Sequence, residues 1–128
     1  MSIQTLSQRR ARHALGRINE RKQAEPKTYG NYVSYSQSLP AAILSNGLGQ
    51  ACATLLAKSE EHRLLYHDLQ NWLCGDDSSA PFRNTPNLMD AITQGDQRSY
   101  LRAQAEALSY LVWLKKFANA YLKRGTCE

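Results

Sequence analysis

The sequence predicts an all-α protein, and three observations carry that prediction. Apolar residues recur at steps of three and four through most of the chain, the period of a helix with one buried face. No run shows the sustained apolar–polar alternation of a half-buried strand. Proline, glycine and aspartate fall between the periodic segments, where helices end and begin. The expected architecture is one compact helical bundle of about five to six helices over residues 1–128, with a long, central C-terminal helix.

The first helix is expected from about Ile3 to Ala24, because Pro26 disfavours helix in the residue before it. Ala11, Ala14, Leu15 and Ile18 share one face, and Arg10, Arg17 and Arg21 line its flank within an arc of about 40°. From Lys27 to Ser38 the chain is rich in Tyr, Ser, Gly and Asn, which suits either a loop or a short tyrosine-bearing helix. Ser38 then caps a helix with Pro40 in its first turn. The apolar positions continue through Leu48, Ala51, Leu55 and Leu56 across Asn46-Gly47-Leu48-Gly49. Each glycine inside a helix costs about 1 kcal/mol relative to alanine. Either the helix breaks there, or another backbone approaches the missing side chains. A phosphate-cradling loop would want a Walker lysine and a preceding strand, and has neither.

Glu60 to Leu73 forms the next helix, with Ser59 as cap, Leu65, Tyr66, Leu69, Trp72 and Leu73 buried, and Gly75 as its stop. A polar loop spans Asp76 to Asn84. Thr85-Pro86 opens a short helix that Gly95 ends. Asp96 caps the last helix, which reaches about Arg124. Tyr100, Ala103, Ala107, Tyr110, Leu114, Phe117 and Tyr121 make a seam that should pack along its whole length. Leu101, Leu108 and Val112 form a second apolar strip, so this helix lies centrally or meets a second chain. Arg98, Arg102, Lys116 and Lys123 gather within about 60° of arc away from the seam.

At 128 residues, 42% of them hydrophobic and 21% charged, the chain can bury a core without disulfide or metal staples. No apolar run approaches a membrane span and the first residues lack a signal-peptide pattern, so a cytosolic, soluble protein is expected. The net charge of +5 is unevenly spread. Residues 1–27 carry +5, residues 28–97 carry −4 and residues 98–128 carry +4. Basic ends around an acidic middle point to a polyanion partner, or to ends that pair with the chain's own opposite pole. A merely solvated surface is the plain alternative.

Catalytic chemistry finds no foothold. Cys52, Cys74 and Cys127 lack metal-ligand spacing and are read as bystander thiols. His62 and His67 stand five apart, not the four of a helical zinc pair. Asp76-Asp77 and Glu60-Glu61 form no carboxylate cluster, and no nucleophile elbow occurs. No enzyme, metal or cofactor is expected. Tyr29, Tyr32 and Tyr35 step by three and could stack on bases, although core or interface tyrosines are the commoner case.

The run Leu39-Pro40-Ala41-Ala42-Ile43-Leu44-Ser45-Asn46-Gly47-Leu48-Gly49-Gln50-Ala51 resembles the best-marked segment of the small-subunit family of type III-B (Cmr) CRISPR effector complexes. The Leu65–Leu73 helix, the Tyr100–Glu106 stretch, Trp113-Leu114-Lys115-Lys116-Phe117-Ala118 and the arginine-rich first helix agree with it in order. The resemblance implies a non-catalytic bundle in antiviral defence, its copies stacked head to tail as the inner filament of a guide-RNA-loaded complex. Its partners would be the other subunits, further copies, guide RNA and target RNA. A basic face would lie along the guide–target duplex, a role falling on Arg10, Arg17, Arg21, Lys115 and Lys116. Stripe geometry alone adds Arg98, Arg102 and Lys123. Reversing Arg17 and Arg21 should then weaken RNA capture and leave the fold intact. The rival functions are a helical protein–protein adaptor and a helix-turn-helix DNA regulator, which would need a base-reading second helix.

Overall fold

A computed structural model describes residues 3–23 and 29–122. These form six helices: α1 (Leu6–Lys22), α2 (Tyr29–Asn46), α3 (Leu48–Ala57), α4 (Glu60–Leu73), α5 (Leu88–Gln94) and α6 (Gln97–Tyr121). No strand occurs among the described residues. The all-α expectation holds, and α6, with 25 residues, is the longest helix. Ala24, Lys123, Arg124 and Cys127, which entered the expectations above, lie outside the described residues.

Several boundaries differ from the sequence reading, each for a local reason. α1 begins at Leu6 because Thr5 and Gln8 form a reciprocal capping box: the Gln8 amide donates to Thr5 Oγ1 at 3.1 Å, and the Thr5 amide to Gln8 Oε1 at 2.9 Å. The tyrosine-rich segment is helical, so α2 runs from Tyr29 straight through Pro40 instead of starting at Ser38. Pro40 costs the helix one backbone hydrogen bond. Burial of Tyr32, Val33, Leu39 and Ile43 on one side of α2 outweighs that loss. At Asn46-Gly47-Leu48-Gly49 the helix break is realised, and what approaches the glycines is side chains of α5 and α6, not another backbone. The helix breaks at Gly47, whose φ is +87°, and a Cβ there would stand 2.8 Å from the Tyr100 hydroxyl. The Leu48 amide donates to Gln104 Oε1 at 2.9 Å and the Gly49 amide to Tyr100 Oη at 3.1 Å. The glycines thus admit α6 against the start of α3. α5 is capped by Asn87, which accepts from the Asp90 amide, and not by Thr85. Gln70 and Tyr66, one turn apart on α4, accept from the Leu88 and Met89 amides that open it.

One cluster of buried residues draws on all six helices. α6 lies parallel to α1, since Glu106 meets Arg10 and Tyr110 meets His13. It lies antiparallel to α2, since Gln37 reaches the Lys115 carbonyl and Gly47, just past the end of α2, lies against Tyr100. The seam is fully buried at Ala103, Ala107, Tyr110 and Leu114, but Tyr121 at its end is 47% exposed. The second strip is not covered: Leu101 is 53% and Val112 46% exposed. α6 packs against α1, α2, α3 and α4, as expected of the long central C-terminal helix. One long face of it is open.

Candidate nucleic-acid interface

The two basic stripes meet opposite fates. α1 is polar throughout, and among its residues only Ala14 and Ile18 are buried. Ion pairs supply what apolar area does not. Arg10 grips Glu106 with two bonds, Nε to Oε2 at 2.7 Å and Nη2 to Oε1 at 2.8 Å. Glu106, 9% exposed, also accepts from the Trp72 indole at 2.8 Å. Arg17 Nε donates to Asp68 at 2.8 Å, and Arg21 Nε stands 3.4 Å from the other oxygen of the same carboxylate. Asp68 is fully buried and accepts from the Tyr32 hydroxyl as well. Arg9 pairs with Asp77 at 2.8 Å.

The expected exposed arginine stripe on α1 is thereby corrected. Arg10, Arg17 and Arg21 turn inward and their charges are met by carboxylates of α4 and α6. The physical reason is the cost of leaving Asp68 and Glu106 unpaired in a low-dielectric interior. The hydrogen bond and charge of Glu106 raise the Arg10 pKa. Burial opposes the charge of Arg17, but Asp68 more than offsets it, so that pKa is raised too. Tyr32 is pushed well above its ordinary value by burial and then by the Asp68 charge. Of the three stepped tyrosines, Tyr32 is thus a core residue and Tyr35 is half-buried against His62, while the Tyr29 side chain lies outside the described residues.

Beside α1 a cleft of about 360 Å³ is lined by Arg9, Arg12 and Arg17 but equally by Glu20, Asp76 and Asp77. Three cations against three carboxylates give it no net pull on phosphate. His13 closes its floor. The His13 Nε2 lies 2.6 Å from Asn71 Oδ1, so it holds the proton, and Nδ1 accepts from the Tyr110 hydroxyl at 2.6 Å. Burial, followed by the neighbouring Arg17 charge, keeps the His13 pKa below its usual 6.5 despite the Asn71 bond.

α6 carries the other stripe outward. Arg98, Arg102 and Lys116 are exposed and Lys115 is half-buried. Arg102 is steadied by a 3.3 Å bond to the Ser79 carbonyl. Helical geometry puts Arg98, Arg102 and Lys116 within about 40° on one side of the open strip, with Lys115 on its other edge. Glu106 is the one carboxylate in α6, and it is committed to Arg10 on the inner side. This face is cationic, about five helical turns long, and free of opposing charge on its own helix. The carboxylates that take up α1's arginines lie 51, 68 and 96 residues away in sequence. The acidic middle signalled such pairing but named no partner.

Cys52 and Cys74 are buried free thiols, and burial pushes them up to about 12 and about 11, which keeps them unreactive. No group of three or more metal-ligating side chains converges among the described residues. No described helix is long and apolar enough to cross a membrane.

Comparison with known proteins agrees with this fold throughout its length. The model of a family of CRISPR-associated proteins, Cas_Cmr5, matches residues 6–121. The chain is 29% identical over 122 residues to the "CRISPR system Cmr subunit Cmr5" of Thermus thermophilus, covering 94% of this chain and 99% of that protein. The crystal structure of a CRISPR-associated Cmr5 family protein from the same organism superposes with a TM-score of 0.78 at 28% identity, over 94% of this chain and 100% of that one.

Proposed function

Since the chain belongs to the Cmr5 family, the small subunit of the type III-B Cmr CRISPR complex, we propose that it supports guide and target RNA through the outer face of α6. In this reading it is a non-catalytic subunit of that complex, stacked with further copies of itself in the inner filament. The observation that carries the RNA contact is the division of charge. α1's arginines are spent inside the fold, whereas Arg98, Arg102, Lys115 and Lys116 stand on one outer face of α6. Lysines and arginines on an exposed helix grip phosphates without reading bases, which suits a subunit that must accept any guide. Lys123 continues the same arc in sequence and is assigned with them; it lies outside the described residues. Arg10, Arg17 and Arg21 are assigned to the fold.

Stacking is supported by unlike surfaces on one chain. The strip of Leu101 and Val112 beside the RNA-assigned cations is exposed and aliphatic, while Glu60 and Glu61 open α4 with negative charge. Unlike faces make a head-to-tail contact that extends rather than closes.

The test is salt-dependent RNA binding. Each phosphate contact contributes roughly 0.7 to 0.9 to the slope of log K against log salt. Reversing Arg98, Arg102, Lys115 and Lys116 to Glu should flatten that slope and lower affinity for unrelated RNA sequences alike. An unchanged slope would remove this face from the contact. The aliphatic strip of Leu101 and Val112 favours a second reading, a protein adaptor, and association that resists both high salt and nuclease would select it.

A further inference from the structure

A cavity of about 140 Å³ opens between α2, α3 and α4, on the flank of α2 turned away from α6. Its floor is apolar, with Leu39 and Leu55. One wall is a stacked aromatic pair, Tyr35 on His62, with ring centroids 3.4 Å apart and planes 24° apart. The His62 ring is held by Ser59 Oγ, 2.8 Å from Nδ1. At the rim stand Asn46, Thr54 and Lys58, whose side chains make no hydrogen bond to the described residues. An apolar floor, a fixed aromatic wall and a few convergent polar groups are the usual makings of a small-ligand site.

We propose that this cavity takes a single nucleobase, packed against the Tyr35–His62 pair, with its polar edge toward Asn46 and Thr54 and its phosphate toward Lys58. The size fits one ring system, since an apolar cavity of about 150 Å³ accommodates benzene. The chemistry fits too. Unstacked bases are held by aromatic faces and read along their edges by side-chain amides and hydroxyls. Burial, then the Lys58 charge, keeps the His62 pKa below 6.5, so the ring is neutral at pH 7 and free to stack. Glu60 and Glu61 open α4 beside Lys58. That balance of charge disfavours a run of phosphates and leaves the planar ring as the recognised group. The proposal rests on the RNA reading for the source of the base.

The experiment is an NMR titration of the full chain with uridine and adenosine monophosphates, ribose 5-phosphate and a hexauridylate. The Tyr35 and His62 ring signals should move saturably with the nucleotides or the hexamer, and not with ribose 5-phosphate. Tyr35→Ala should weaken that binding about tenfold or more, while Tyr35→Phe keeps it. Thr54→Trp, at an exposed rim position that leaves the core untouched, should abolish it. A response to the hexamer alone means that a strand delivers the base; a response to the mononucleotides too means that free nucleotides also enter. Silent ring signals at millimolar ligand, an equal response to ribose 5-phosphate, or full binding by Thr54→Trp would overturn the proposal. So would signals moved by a partner subunit and by no nucleotide, which would make the occupant a protein side chain. A hexamer retained on α6 while the ring signals stay silent removes the pocket and leaves the RNA reading standing.

Discussion

Two carboxylates decide what the arginines of α1 can do. Asp68 is fully buried and gathers Arg17, Arg21 and Tyr32, while Glu106 gathers Arg10 and Trp72. Removing one partner of such a buried pair leaves an uncompensated charge, at a cost of about 3–5 kcal/mol. Asp68→Ala is therefore expected to lose stability on that scale, measured by urea denaturation. The double reversal Arg17→Glu and Arg21→Glu should do so as well, because it places two more carboxylates beside Asp68. This inverts the sequence-level expectation that these reversals leave the fold intact. Histidine adds a pH dependence. His13 and His62 both have pKa values lowered from 6.5 in the folded chain. Between the folded values and 6.5 the unfolded chain binds more protons, so stability is fully present above about 6.5 and falls as pH drops below it. Denaturation midpoints at pH 5.5 and 7.5 should differ in that direction, and His13→Gln should narrow the difference. A midpoint that rises on acidification would contradict the assignment.

Among the elements, the joint between α2 and α3 shows what the sequence can and cannot supply. The glycines of Asn46-Gly47-Leu48-Gly49 announce either a break or a close approach, and periodicity locates the helices on both sides. That Tyr100 and Gln104, more than fifty residues on, fill the space is beyond any local pattern. Gly47→Ala is expected to cost about 1–3 kcal/mol, since φ at +87° is strained for alanine and the added Cβ meets the Tyr100 hydroxyl. Pairing it with Tyr100→Phe should relieve part of the clash, which a double-mutant cycle in thermal denaturation would measure. Strongly periodic helices such as α4 and α6 are readable because one face is apolar. α2 is only half legible because Pro40 and the polar tyrosine stretch argue against helix locally, and burial of Tyr32 and Val33 is what resolves the matter. α1 is readable as a helix, yet its docking is not. Its capping box is written in Thr5 and Gln8, whereas the carboxylates that hold its arginines come from α4, α6 and the loop between α4 and α5.

Across the whole molecule, the basic ends and acidic middle serve two purposes. The N-terminal excess is largely consumed against Asp68, Asp77 and Glu106, so it builds the fold. Of the C-terminal excess, Arg98, Arg102 and Lys116 stand exposed on α6 with Lys115 half-buried beside them, where a polyanion could meet them. Stripe geometry alone cannot separate the two, because both stripes flank an apolar face at helical spacing. Long-range pairing is what distinguishes them. The direct measurement is target-RNA capture by the assembled complex, with thermal stability read on the same subunit preparations. Reversing Arg98, Arg102, Lys115 and Lys116 should leave the melting temperature close to that of the parent chain and sharply reduce capture. Undiminished capture by a variant that melts like the parent would contradict the assignment of the α6 face.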